Sequence, residues 1–225
     1  MKFTALTASA VASLATLFMA PAASASVVVI SNQSVWNMYT ALQGATMATE
    51  TFESFPEGYG GASATGTAGS TTWNASSKGG LYFGAVGGQQ AISTLFPNTT
   101  IDGTLNFTFA PGVQGIGGEF FGLDENFNVV LANITVTLGN GSTYTTETKS
   151  ATNFVGFYSS GAAISSISIS TSTTNMYPAV GNLYFATVPA PGAIALLCFS
   201  GIAGTRSRRR AMPMRPLPCS PHDLR

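Results

Sequence analysis

Three short stretches of the chain alternate polar and apolar residues with a period of two: Thr104-Leu105-Asn106-Phe107-Thr108-Phe109, Asn133-Ile134-Thr135-Val136-Thr137-Leu138 and Ser166-Ile167-Ser168-Ile169-Ser170. A strand turns successive side chains to opposite faces, so this period predicts half-buried strands with one apolar and one hydroxyl-rich face. Leu138-Gly139-Asn140-Gly141-Ser142 followed by Tyr144-Thr145-Thr146-Glu147 predicts a hairpin, because Gly-Asn-Gly tolerates the positive φ of a tight turn. Further strands are expected over residues 27–30, 49–55, 81–86, 113–123, 153–158 and 183–187. One helix is expected, with Ser34 as N-cap, Val35, Trp36, Met38, Tyr39 and Leu42 at helical spacing, and Gly44 as the stop. The Gly-, Ser- and Thr-rich stretch from Tyr59 to Gly80 reads as a loop. Together these predict an all-β fold: an antiparallel β-sandwich, jelly-roll-like, with one short N-terminal helix.

The two ends of the chain read differently. Lys2, an apolar run over residues 3–20, Pro21 and the small triplet Ala23-Ser24-Ala25 have the order of a secretory signal peptide, cleaved after Ala25. At the other end Val188-Pro189-Ala190-Pro191-Gly192 precedes an apolar run over residues 193–204 and the cluster Arg206-Ser207-Arg208-Arg209-Arg210. The run predicts a C-terminal apolar helix of about a dozen residues, short of the roughly 20 that a stable membrane span needs. The arginines fix its orientation by holding to the cytoplasmic side. This tripartite tail resembles the bacterial PEP-CTERM sorting signal, with Ala190 standing where that family has Glu. The resemblance implies that Pro189, Pro191, Arg208, Arg209 and Arg210 form a sorting signal. It also implies an exosortase-type processing enzyme as partner, and membrane attachment through the apolar helix before processing. Four segments result: signal peptide 1–25, ectodomain 26–187, sorting and anchor segment 188–210, and a Pro-rich tail 211–225 that reads as disordered.

Charge sharpens this division. Only 8% of the 225 residues are charged, against about 25% in an average soluble protein. The formal net charge of zero hides a segregation, since residues 26–188 hold eight acids and only Lys78 and Lys149 as bases, a net charge of −6. Without a basic footprint, binding to nucleic acid or to anionic lipid headgroups is disfavoured. Cys198 lies in the sorting and anchor segment, and Cys219 and His222 lie in the 211–225 tail. The ectodomain therefore has neither a disulfide framework nor the groups needed for Ser-His-Asp or Cys-His hydrolysis, His-based zinc sites or haem ligation.

Within the ectodomain, Thr51-Phe52-Glu53-Ser54-Phe55-Pro56-Glu57-Gly58, the segment from Phe107 to Gly117, and Phe154-Val155-Gly156-Phe157 resemble ectodomains carried by PEP-CTERM proteins. The resemblance spans residues 47–187 and implies a lectin-like or carbohydrate-binding-module-like sandwich. Many such proteins read Val-Asp-Asn-Leu in the last strand, where this chain has Val180-Gly181-Asn182-Leu183. Glu53, Asp124 and Glu125, with Glu50 and Glu57 nearby, are the candidate oxygen ligands for a calcium ion; the plainer reading is a solvated strand end and a turn. Tyr59 and Trp73, with Trp36, Tyr82 and Tyr177, are the candidate sugar-stacking rings, the plainer reading being core packing. No spacing selects a pair of carboxylates for glycoside hydrolysis. The expected function is that of an exported, non-enzymatic envelope or extracellular-matrix protein associated with exopolysaccharide. A calcium-assisted carbohydrate-binding module and a carboxylate-dependent glycan-active enzyme stand as alternatives.

Overall fold

The computed structural model describes residues 26–98 and 103–188. The expected signal segment with Ala25, the sorting residues Pro189, Pro191, Arg208, Arg209 and Arg210, the 211–225 tail, and Cys198, Cys219 and His222 lie outside the described residues. In chain order the elements are β1 (Val27–Ile30), α1 (Gln33–Leu42), β2 (Thr46–Glu50), β3 (Gly58–Ala68), β4 (Thr71–Val86), β5 (Gln89–Thr94) and β6 (Leu105–Phe109). They continue with β7 (Val113–Leu123), β8 (Val129–Val130), β9 (Ala132–Leu138), β10 (Thr143–Thr148), β11 (Phe154–Ser159), β12 (Ser166–Thr171) and β13 (Tyr177–Thr187). The fold is an all-β antiparallel sandwich with one short helix, as the alternating pattern predicts.

Among the described residues the strands form one curled sheet in the order β1-β11-β7-β13-β5-β4-β6-β12-β9-β10, with β2 added to β13, β3 to β4 and β8 to β7. The sheet doubles over, so that β7 and β13 in one layer face β9, β10 and β12 in the other. The corner is β4, which pairs with β6 over residues 73–76 and with β5 over residues 81–86. Gly80, at φ +101, lies between those two stretches, in a conformation that side chains rarely adopt. The core fills the space between layers, with Phe52, Trp73, Phe83, Phe107, Phe120, Phe157 and Phe185 all buried.

The layer containing β11, β7 and β13 is covered on both faces, and α1 covers part of its outer face. Trp36 of α1 is fully buried there against Tyr184 and Phe154, with ring centroids 6.4 and 5.8 Å away. Its indole lies on a floor of glycines. A Cβ on Gly156 of β11 would come within 2.2 Å of Trp36 Cδ1, and one on Gly115 of β7 within 3.3 Å of Trp36 Cζ2. The Gly-rich run in β7 and the Phe-Val-Gly-Phe of β11 are thus the seat of a tryptophan.

Three expectations are corrected. The helix N-cap is Asn32, whose Oδ1 accepts from Val35 N at 3.0 Å, and Ser34 lies inside the helix. The strand expected over 49–55 stops at Glu50, because Phe52 turns the chain at φ +58 and its carbonyl accepts from Phe55 N. The loop expected from Tyr59 to Gly80 is instead most of the β3–β4 hairpin. Its small residues are strand residues over which aromatic rings lie: a Cβ on Gly66 would meet Trp73 Cζ2 at 2.3 Å, and one on Gly60 would meet Phe83 Cε2 at 2.4 Å.

Candidate functional site

The five candidate stacking rings divide into two groups. Trp36 and Trp73 are buried, Trp73 at only 1% exposure, so neither offers a face to a ligand. Trp73 is instead locked into the core: its Nε1 donates to Glu50 Oε2 at 2.8 Å, and Phe52 N donates to Glu50 Oε1 at 2.8 Å. Glu50 thereby holds the turn at Phe52 and seats the Phe52 ring 5.5 Å from Trp73. This buried carboxylate is a structural clamp.

Tyr59, Tyr82 and Tyr177 gather elsewhere. Tyr59 lies opposite Tyr82 across β3 and β4, so both side chains leave the same face of the sheet. Tyr59 is 67% exposed. Tyr82 stacks on Phe127 with centroids 4.4 Å apart and planes at 25°, and Phe127 in turn lies 5.8 Å from Tyr177 at the start of β13. Tyr82, Phe127 and Tyr177, all half-buried, form an aromatic ledge on the outer face, and Tyr59 projects from the same face beside it, its ring over Gly80 while that of Tyr82 lies over Gly84. Phe127 was invisible to sequence reasoning because it lies in a loop, with no periodicity to mark it.

Asp124 builds the loop that presents Phe127. Its Oδ1 accepts from Asn126 N and Asn128 N, each at 2.9 Å, and its Oδ2 accepts from Asn128 Nδ2 at 3.3 Å. The backbone closes the same turn, with Asp124 N donating to Asn128 O and Phe127 N to Asp124 O. Phe127 is held at φ +59, a conformation that a bulky residue adopts only when its surroundings enforce it. The donors from Asn128, foremost its backbone N–H, hold the Asp124 carboxyl below the ordinary value of 3.8.

These roles decide the fit of a calcium ion. Asp124 has its oxygens engaged by its own loop, Glu125 is exposed beside it, and Glu53 is exposed in the Phe52 turn. Among the described residues no three Asp, Glu, His or Cys side chains come together to hold a metal. The Gly181-Asn182 pair of β13 bulges opposite Glu119 of β7, whose Oε2 accepts from Asn182 N and from Asn182 Nδ2 at 2.9 Å. A Cβ on Gly181 would lie 2.1 Å from Gln89 Nε2 and 3.1 Å from Glu119 Oε2, so a side chain at this position would have to displace the end of Gln89. The acids present do not fit the expected calcium site.

The other end of the sandwich holds a cavity of about 620 Å³, lined by Gln43, Ser70, Gln114, Tyr158, Ser159 and Val188 among others, with no charged side chain in its wall. Burial, and next the neighbouring Tyr39, push the Tyr158 phenol up. This cavity marks the root of the C-terminal tail, ten strand residues along β13 from Tyr177, or about 33 Å. No helix among the described residues is long and apolar enough to cross a membrane. Compared with known proteins, the chain matches no family model and no curated protein.

Proposed function

We propose that the protein is an exported, non-enzymatic component of the cell envelope or extracellular matrix, sorted by its PEP-CTERM-like tail and held to exopolysaccharide by the aromatic ledge. The observation that carries this reading is the placement of Tyr59, Tyr82, Phe127 and Tyr177 on one face, about 33 Å along β13 from the tail root. Aromatic faces pack on the apolar faces of sugar rings, and a Tyr hydroxyl adds a polar rim. The exposed Asn126, Asn128 and Glu125 beside Phe127 supply further hydrogen-bonding groups. A ligand at one end and a sorting segment at the other let the domain hold matrix while the tail is handled at the membrane.

The test is retention of the chain, secreted by its own host, on that host's exopolysaccharide. Wild type is expected to be retained, and Tyr59→Ala is expected to weaken retention about tenfold, the equivalent of one well-placed ring. Tyr59 is exposed, so the variant folds normally. A chain that stays in the cytoplasm sinks the export reading, and a secreted chain that ignores the polysaccharide sinks the ledge.

A further inference from the structure

Helix α1 has a second apolar face. Trp36 and Thr40 are buried against the outer face of the sheet, while Val35, Met38 and Leu42, spaced three and four residues apart, are 46, 60 and 76% exposed. Single exposed apolar residues are ordinary, but three on one helix face form a stripe. No charged residue occurs between Ser26 and Thr49, so nothing in the helix or its flanks resists an apolar neighbour.

The C-terminal end of the stripe lies beside the root of the tail. Gln43, the residue after Leu42, lines the same cavity as Thr187 and Val188. Thr187 pairs with Thr46, and its hydroxyl donates to Thr46 O at 3.4 Å. Beyond Val188 only residues 189–192 separate the domain from the apolar run over 193–204 and its arginines. Five residue steps reach at most about 18 Å, close to the length of α1, about 15 Å. If residues 193–204 enter a bilayer, the end of the domain that carries α1 cannot be far from the surface.

We infer that Val35, Met38 and Leu42 lie on the lipid bilayer while the unprocessed tail holds the chain there. The inference rests on the anchoring part of the proposed function. Three side chains do not bind a membrane by themselves, but a short tether raises their local concentration at the surface. The helix carries no bases, so the contact needs no anionic lipid. It also orients the domain, with the ledge at the far end of β13.

The full-length chain, reconstituted in phosphatidylcholine vesicles with brominated acyl chains, tests this. Met38→Trp is expected to show at least twofold stronger lipid quenching of its added fluorescence than Thr108→Trp, on the exposed face of the other layer. Adding Leu42→Glu to Met38→Trp is expected to remove that excess while the chain still floats with the vesicles. A chain that floats, yet has Met38→Trp quenched no more than Thr108→Trp, overturns the bilayer contact alone. Dimers in sedimentation that shield Met38→Trp from iodide equally with and without lipid overturn it in favour of a second copy. A chain that does not float at all overturns both the contact and the anchoring reading.

Discussion

The two layers of the sandwich build the same backbone from opposite kinds of sequence. In the layer of β7, β11 and β13 nearly every residue is buried, because its inner face meets the other layer and its outer face meets α1 and the loops. In the layer of β9 and β12 burial alternates strictly, and the outer face presents Thr135, Thr137, Ser168 and Ser170 to water. The first layer has no free side for a side chain to move into, so it uses glycine wherever a ring must lie flat. The second can accept almost any polar residue on its outer face. Tolerance to substitution is therefore a property of the layer more than of the residue type.

The strongest way to break this contrast is at the glycine floor. Trp36→Ala removes a fully buried indole, for an expected loss of about 3–5 kcal/mol in urea unfolding. Gly156→Ala acts on the same contact from below, because its new Cβ would meet Trp36 Cδ1 at 2.2 Å, for about 1–3 kcal/mol. In the Trp36→Ala background the Gly156→Ala penalty should disappear, and a double-mutant cycle measures that coupling. Additive losses would show that the glycine serves something other than the ring.

Glu50 tests the boundary between the layers. Glu50→Ala strips the partners from Phe52 N and Trp73 Nε1, both buried, for an expected loss of about 2 kcal/mol or more. Glu50→Gln keeps one acceptor oxygen and should cost about half of that. The Trp73 indole N–H resonance should shift in both variants. Trp36 is the internal control, since its buried Nε1 has no hydrogen-bond partner among the described residues.

The same division explains what could be read from the chain. The alternating strands β6, β9 and β12 were legible because one face is wet, and β7 was legible as a strand over 113–123. The β3–β4 hairpin was not, because Gly60 and Gly66 lie under Phe83 and Trp73, and that contact leaves a composition resembling a loop. Of the candidate rings, Tyr59 is exposed as its expected loop setting implied, although it stands on a strand. Trp73 was misplaced, since a tryptophan in a Gly-rich segment looks available until its partner Glu50, 23 residues away, is brought beside it. Asp124 was found as a carboxylate in a turn, but its role in holding Phe127 needs the three-dimensional path of the loop.

Acid should act locally, on the ledge. The Asp124 carboxyl is held below 3.8 in the folded chain by its hydrogen bonds from Asn128 and Asn126. A lowered folded value means that its support is complete above the unfolded value and is lost as pH falls through the folded one. The Tyr82–Phe127 stacking signal in near-UV circular dichroism should therefore hold down to about pH 4 and decay below it. Asp124→Asn should weaken the signal and make it flat with pH across that range. An acid decay that persists in Asp124→Asn would assign the titration to another group.

The smallest expected effect falls on the wet layer. Thr135 and Thr145 face each other across β9 and β10, with their hydroxyl oxygens 2.9 Å apart at the surface. Water replaces an exposed hydrogen bond almost without cost, so Thr135→Ala is expected to change stability by no more than about 0.5 kcal/mol. Thr135→Val, which keeps the branched shape that strands favour, should be neutral within the same range. The comparison then rests on one ratio: alanine at Gly156, which removes nothing, should cost several times what alanine costs at Thr135, which removes a hydroxyl and a methyl. Equal losses at the two positions would mean that the outer face of β9 is covered, and that the two layers are not as unlike as their burial patterns make them.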